Sequence, residues 1–283
     1  MRYPIRGGML TEIPLPDRYD ARGLSIIGLR GKASRAVVQR YIEGIRTKHV
    51  RTMNYNMKRI LSSQRKEILA LETDSTLEIA RVLAEHVPWM RNVYENLYVK
   101  TTDDMYPLIQ DGTLLKSYNR RERKDLTEEE IYRTHIRAWL TRNGGSMITR
   151  INDTTMMEIR NVLVNADTTA EVYRALDTYF STNISSRAVR IAWTETSTAT
   201  NVGSLECMRS VAVRDSMKVW RTLQDNHVRD THKVMDGSKV LLGERFDVPS
   251  KMGMDRMDCP GDPVGGSAEN VVNCRCMTFY EYV

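Results

Sequence analysis

Apolar residues recur every three or four positions along most of the first two thirds of this chain. One series begins at Val38 and continues to Leu71, and a second begins at Ile148 and continues to Ala192. This spacing matches the 3.6 residues of an α-helical turn and places the apolar side chains on one face of each helix. The pattern therefore predicts amphipathic helices that pack as a bundle or a stack of hairpins.

Two sequence signals mark where further helices begin. Ser75 is followed three residues later by Glu78, and Thr127 by Glu130. In such a pair the hydroxyl and the carboxylate can each take a backbone amide that the first helical turn leaves without a partner. We therefore expect one helix to start near residue 75 and another near residue 127.

Other residues are typical of helix interruptions. Pro, Gly and several Asp residues lie between Thr101 and Glu122, so we expect a loop or a poorly ordered connector there. Gly144 and Gly145 should end the helix that starts near residue 127, because glycine disfavours helical backbone. A separate helix is expected after Ser185.

The pattern changes after about Ser216. Short runs that favour β-strands are separated by turn signals such as Asp236-Gly237 and by the glycine-rich segment from Gly253 to Gly266. The predicted strands are Lys218–Leu223, Ser238–Leu242, Arg245–Val248 and Arg275–Val283. One helix is expected between Asp225 and Met235.

The predicted fold class is α+β, with a mainly α-helical N-terminal and central region and a small mixed α+β C-terminal module. Four regions follow from the pattern. They are an extended arm (1–30), a helical N-terminal region (31–145), a helical bundle region (146–215) and the α+β module (216–283). No segment approaches the roughly 20 consecutive apolar residues that a membrane-spanning helix needs, so no membrane partner is expected.

Positive charge is concentrated near the start of the first helical series. The chain has a formal net charge of +6, and lysine and arginine greatly outnumber acidic residues between Lys32 and Lys66. Such a segment favours nucleic acid, because each neutralised phosphate releases counterions. The candidate DNA-binding residues are Arg46, Arg51, Lys58 and Arg59. A solvated helix face without a ligand is the alternative interpretation.

Three of the four cysteines lie within the last 25 residues. Cys274 and Cys276 are separated by one residue, so their side chains should share one side of a strand. With Cys259 and His232 they form a set of soft and borderline ligands that zinc prefers in tetrahedral sites. The sequence thus predicts a structural zinc site, with free or disulfide-paired cysteines as the alternative.

The same region contains a series of polar residues in a characteristic order. It begins in the helix Arg190-Ile-Ala-Trp-Thr-Glu195 and ends in Asn273-Cys274-Arg275-Cys276. The motif residues are Glu195, Asp225, Arg229, His232, Asp236, Gly237 and Asn273. From about Ile148 onward the chain resembles the Mu F-like head-morphogenesis proteins of tailed bacteriophages.

Several motif residues also suit structural roles. Asp225 can cap the short helix that follows it, and Asp236-Gly237 can end that helix. Arg229 is expected to pair with Asp225 or Glu269. Trp220 and Phe246 are expected in a small apolar core.

The resemblance implies a minor head protein at the portal vertex, acting in head assembly and in DNA packaging or delivery. Its implied partners are the phage portal protein and other head proteins, and the basic segment adds phage DNA, bound without sequence preference, as a further expected partner. Its implied location is the interior of the phage head, with the host cytoplasm as the place of assembly. Enzymatic activity is not expected.

Two alternatives remain. The first is a metal-dependent nucleic-acid hydrolase using Asp225, His227, His232 and Glu244, which are residue types suited to acid–base or metal chemistry. The second is a scaffold without DNA contact.

Overall fold

Five α-helices precede the strands in a computed structural model of the chain, which describes residues 32–282 apart from 72, 111–126, 165, 167 and 212–215. The extended arm predicted for residues 1–30 lies outside the described residues. The helices are α1 (Lys32–Ala70), α2 (Thr76–Glu85), α3 (Val87–Gln110), α4 (Glu128–Leu163) and α5 (Thr169–Val211). No helix in the described part of the chain is both long enough and apolar enough to cross a membrane.

The two predicted helix starts are confirmed. The Thr127 hydroxyl accepts a hydrogen bond from the Glu130 amide at 3.2 Å, and the Glu130 carboxylate accepts one from the Thr127 amide at 2.6 Å, which completes the reciprocal cap. Ser75 accepts from the Glu78 amide at 3.4 Å. Both helices therefore begin where side chains satisfy free backbone amides.

Three predicted interruptions are wrong. Gly144 and Gly145 lie inside α4, because burial of neighbours such as Met147 and Ile148 outweighs a cost of about 1 kcal/mol per glycine. Helix α3 continues to Gln110, so the part of the expected loop from residue 101 to residue 110 is helical. Helix α5 passes through Ser185 without a break.

Helix α5 is the centre of the helical region. It contacts α1, α3 and α4, and its 43 residues extend about 64 Å. The crossing with α3 is close at Gly203, where an added Cβ would lie 2.4 Å from the Thr102 hydroxyl oxygen. Glycine is therefore required for the two helices to approach at this point.

The C-terminal module contains five strands and two short helices. They are β1 (Ser216–Arg221), α6 (Asp230–Lys233), β2 (Lys239–Leu241), β3 (Phe246–Ser250), β4 (Gly253–Met257), α7 (Ala268–Val271) and β5 (Met277–Tyr282). An antiparallel sheet has the strand order β2-β1-β5, and β3 pairs with β4 as a separate antiparallel hairpin.

The predicted fold class is confirmed, and details of the module differ. Strand β4 lies in the glycine-rich segment that was expected to separate two strands, because its pairing with β3 overrides the glycine-rich sequence. Helix α7 follows that segment. The helix expected from Asp225 to Met235 is shorter, because only four residues of it form α6.

The sheet separates two apolar clusters. Val219, Met277 and Phe279 pack in the large cluster formed with helices α1, α3, α4 and α5. Trp220 and Phe246 pack in a smaller cluster inside the module, which confirms their expected place in a core. Adjacent residues of one strand supply the two clusters because side chains alternate along a strand.

Candidate metal centre and basic helix surface

Three potential metal ligands meet inside the C-terminal module. His232 lies on α6, while Cys274 and Cys276 lie just before β5. The His232 Nδ1 atom is 3.7 Å from the Cys274 sulfur and 3.4 Å from the Cys276 sulfur, and all three ligand atoms lie within 4.8 Å of one another. All three side chains are buried. This arrangement brings together three of the four ligands predicted from the sequence.

Hydrogen bonds around the imidazole decide which of its two nitrogens carries the hydrogen. The amide nitrogen of Asn270 donates to the Pro249 carbonyl at 3.0 Å and to the Asp255 carboxylate at 2.8 Å. The amide oxygen of Asn270 therefore faces His232 Nε2, at 3.1 Å, and accepts its hydrogen. Nδ1 then carries a free lone pair, which is directed toward Cys274 and Cys276.

The two thiols are not equivalent. A hydrogen bond from Cys276, assisted by His232, holds the pKa of the Cys274 thiol well below its usual value. The same bond, together with burial, raises the pKa of Cys276. Cys274 is therefore the sulfur that is more readily present as a thiolate, the form in which cysteine binds metal.

Cys259, the fourth predicted ligand, does not join this group. It is buried in the large cluster with Val219 and Met277, whereas Cys274 and Cys276 pack with Trp220 in the smaller one. Burial raises the pKa of the Cys259 thiol, and the nearby Asp262 raises it further. The sequence suggested convergence because Cys259 is near in the chain, but the fold buries it in a different apolar cluster from the other two cysteines.

Two motif residues have partners different from those expected. Asp225 does not cap α6, because the N-cap residue of that helix is Arg229. The Asp225 carboxylate instead accepts a hydrogen bond from the His227 amide at 3.0 Å and pairs with Arg275 at 2.6 Å. Arg229 pairs with neither Asp225 nor Glu269 but donates to the Val272 carbonyl. Both residues hold the segment around α6 to the segment before β5 that carries Cys274 and Cys276.

The Asp236-Gly237 turn is confirmed. The Asp236 carboxylate accepts from the Thr222 amide at 2.8 Å and from the Gln224 side chain at 3.0 Å. Gly237 has a φ of +92°, a conformation that favours glycine, and its amide donates to the Trp220 carbonyl at 2.8 Å.

The remaining two motif residues lie where α5 meets the module. Asn273 also has a positive φ, of 54°, which asparagine tolerates better than most residues, and its amide donates to the Thr194 hydroxyl at 3.0 Å. Glu195 is buried beside Tyr94. Burial raises the pKa of Glu195 to about 7, although Tyr94 and Arg150 oppose the shift.

A buried polar face on α5 joins the helices to the module, and the sequence interpretation missed it. Asn201 donates to the carbonyls of Pro260 at 2.9 Å and Cys276 at 3.0 Å, and it accepts from the Thr278 amide at 3.0 Å. Ser197 donates to the Cys274 carbonyl at 2.6 Å. The signal that could have revealed this face is the nearly uncharged run of serine and threonine in residues 194–204 of a helix. Such residues need hydrogen-bond partners when they are buried.

Arg46 is not available to bind DNA. Its side chain is 2% exposed and pairs with Glu43 at 2.9 Å. It also donates to the Cys276 carbonyl at 2.8 Å and the Arg275 carbonyl at 3.5 Å. The prediction that Arg46 contacts DNA is wrong, because the C-terminal chain covers this face of α1. Arg46 instead attaches α1 to the segment that carries the cysteines.

Four other basic residues of α1 form an exposed surface, which we call the α1 basic stripe. Arg51, Arg59 and Lys66 are exposed and Lys58 is partly exposed. Their spacing places them on one side of the helix over about 22 Å. Among the described residues, none of the four has a carboxylate partner, whereas Lys48 pairs with Asp104 at 2.7 Å.

Aromatic rings accompany the stripe. The Arg59 guanidinium lies 5.7 Å from the centre of the Tyr55 ring and 5.4 Å from that of Trp89. Tyr55 is 62% exposed. Tyr55 therefore adds an accessible aromatic face to the basic surface.

The residues proposed for a hydrolase do not form a cluster. Within the described part of the chain, His232, Cys274 and Cys276 are the one group of three or more potential metal ligands with such close spacing. Asp225, His227 and Glu244 lie outside that group, and the Glu244 carboxylate accepts from the Leu241 amide at 3.3 Å. The geometry thus gives the hydrolase interpretation no assembled site.

Comparison with known proteins gives one match. Residues 153–279 match the model of a family described as Phage Mu protein F like protein. No curated protein and no solved structure matches the chain significantly. The matched range includes all of α5, strands β1 to β4 and the beginning of β5, and therefore contains the polar face of α5 and the His232, Cys274 and Cys276 group.

Proposed function

Because residues 153–279 match the model of the Phage Mu protein F like family, we propose that this chain belongs to that family and is a structural protein of a bacteriophage head. It acts in head morphogenesis at the portal vertex and contacts packaged DNA through the α1 basic stripe. The family match over residues 153–279 is the observation that carries the head-morphogenesis role. The surface chemistry of α1 supports the DNA contact.

The construction of the matched region suits a structural role. Buried side chains of α5 donate to backbone carbonyls of the module, as Asn201 does to Pro260 and Cys276. Such bonds are costly to leave unmade, so they favour one fixed attachment of the sheet to the helices. A rigid unit of this kind fits a component that positions other proteins.

The α1 basic stripe supports non-specific DNA binding. No acidic residue occurs between Gly44 and Lys66 in the sequence, so the positive field of this surface is not locally neutralised. Tyr55 offers a ring for packing against a sugar or a base. Contacts to phosphates carry no sequence information, so affinity rather than sequence preference is expected.

The DNA contact is tested by measuring affinity for duplex DNA against salt concentration. Four phosphate contacts should give a slope of log affinity against log salt of roughly −3 to −4. Replacing Arg51, Lys58, Arg59 and Lys66 with Gln should bring the slope close to zero, with the fold checked by circular dichroism.

The matched control removes the same number of positive charges from other surfaces. Arg142, Arg160, Arg174 and Lys251 are all exposed and lie on α4, on α5 and beyond β3. Their replacement with Gln should leave the slope nearly unchanged. If both variants lose the same amount of slope, net charge rather than the α1 basic stripe determines DNA binding. If the wild-type chain shows no dependence of affinity on salt, the chain is a scaffold without DNA contact.

Association with the portal is tested in assembled heads. Proheads formed without the portal protein should contain little of this chain, while proheads with the portal should retain it. Normal amounts in both would contradict portal association. Cleavage of DNA that requires a divalent metal ion would instead favour the hydrolase alternative.

A further inference from the structure

We propose that His232, Cys274 and Cys276 bind one zinc ion, which fastens α6 to the chain segment entering β5. Two thiolates and an imidazole are ligand types that zinc prefers. The three residues are 1%, 3% and 0% exposed. Their burial fits a structural ion rather than one that meets a substrate.

The spacing of the ligand atoms fits a tetrahedral ion. Zinc–sulfur and zinc–nitrogen bonds of about 2.3 and 2.05 Å, at a tetrahedral angle, place nitrogen and sulfur about 3.5 Å apart. The two distances from His232 Nδ1 to the sulfurs are 3.4 and 3.7 Å. A central ion therefore fits with little movement of the side chains.

A hydrogen bond to the imidazole requires only one of the two sulfurs to face Nδ1. Nδ1 has one lone pair, which can align with the hydrogen of one thiol. Both sulfurs nevertheless lie on the Nδ1 side of the ring at similar distances. An ion between the three atoms satisfies the imidazole and both cysteines together.

The surroundings of His232 also resemble the support of a metal ligand. The nitrogen that faces away from the sulfurs donates to Asn270, which is itself held by Asp255 and the Pro249 carbonyl. A second hydrogen bond of this kind fixes the tautomer and the ring orientation of metal-binding histidines. Asp255 also accepts from the amide and the hydroxyl of Ser267, so the support extends to the start of α7.

The ligand set differs from the one that the sequence suggested. Cys259 packs in the other apolar cluster, and within the described residues no further His, Cys, Asp or Glu joins the group. Three protein ligands leave one coordination position of a tetrahedral zinc ion for a small ligand such as water. Binding should consequently be weaker than at a closed site with four protein ligands.

The ion would link distant parts of the chain. His232 precedes Cys274 by 42 residues and Cys276 by 44. The β3–β4 hairpin and α7 lie between them in sequence. Because the unfolded chain has no preformed site, zinc binding contributes directly to folding of this segment.

The test uses the full chain, stripped of metal with a chelator and then titrated with zinc against a chromophoric competitor. The wild-type protein should bind about one equivalent. Cobalt substitution should give a sulfur-to-cobalt charge-transfer band of the intensity expected for two thiolates. Cys276→Ser should weaken zinc binding at least tenfold and halve that band.

Cys259→Ser is the matched control, because it removes an equally buried cysteine outside the group. It should retain one equivalent of zinc and the full cobalt band. The proposal is overturned if the folded wild-type chain binds less than about a tenth of an equivalent, or if Cys259→Ser loses as much affinity as Cys276→Ser. Stoichiometric uptake of another metal with no uptake of zinc would also overturn it. If Cys276→Ser does not fold, the wild-type stoichiometry and cobalt band still decide.

Discussion

Replacement of Asn201 with leucine should loosen the C-terminal module from the helices. Leucine has the same side-chain branching as asparagine, so the change replaces the polar groups with two bulkier methyl groups while keeping the branched shape. The Pro260 carbonyl and the Thr278 amide lose the partner that Asn201 provides, while the Cys276 carbonyl keeps Arg46 at 2.8 Å. Asn201 is 1% exposed, so water does not replace the lost bonds in the folded state.

The expected cost follows from these two groups. A buried polar group left without a partner costs about 1–3 kcal/mol, which gives about 2–6 kcal/mol for Asn201→Leu. Since folded domains are stable by about 5–15 kcal/mol, the loss is a large fraction of the total. Urea denaturation followed by tryptophan fluorescence and by far-ultraviolet circular dichroism measures it.

Thr200→Val is the matched control on the same helix. Thr200 is equally buried, but its hydroxyl donates only to the Thr196 carbonyl of its own helix, at 2.7 Å. Its replacement should cost less than about 1 kcal/mol. If the two variants differ by less than about 0.5 kcal/mol, the bonds of Asn201 do not hold the module in place.

Two further predictions concern the contacts of α3 with α5. Gly203→Ala should destabilise the protein, because the added Cβ would lie 2.4 Å from the Thr102 hydroxyl oxygen. Adding Thr102→Ala to the same chain should restore most of the lost stability. If urea denaturation instead shows that the two substitutions destabilise the protein independently and additively, the close contact is refuted. The pKa of Glu195 is raised from 4.5 to about 7 in the folded state. Between these values the folded state holds a proton that the unfolded state releases, so the stability of the protein should fall as the pH rises from about 4.5 through 7. Glu195→Gln should remove that part of the decline, on the order of 3 kcal/mol; parallel stability profiles for the two proteins would show that burial does not disfavour the charged form.

Local patterns determined the features that depend on neighbouring residues. The apolar period predicted the helices, and the Thr127 and Glu130 pair predicted a helix start that the structure shows in full. The Asp236-Gly237 turn follows from the freedom of glycine at positive φ. These features were predictable because their partners lie within a few residues along the chain.

Tertiary structure decided which side chains meet and which are accessible. Arg46 and Arg51 are both basic residues of α1, but only the first is covered by the C-terminal chain, 230 residues away in sequence. Cys259 and Cys276 are close in the chain, yet the folded chain buries them in different apolar clusters. Burial and the meeting of distant side chains depend on long-range packing, which a single sequence pattern does not specify, and so only the fold decided which predicted ligands converge and which basic residues of α1 stay exposed.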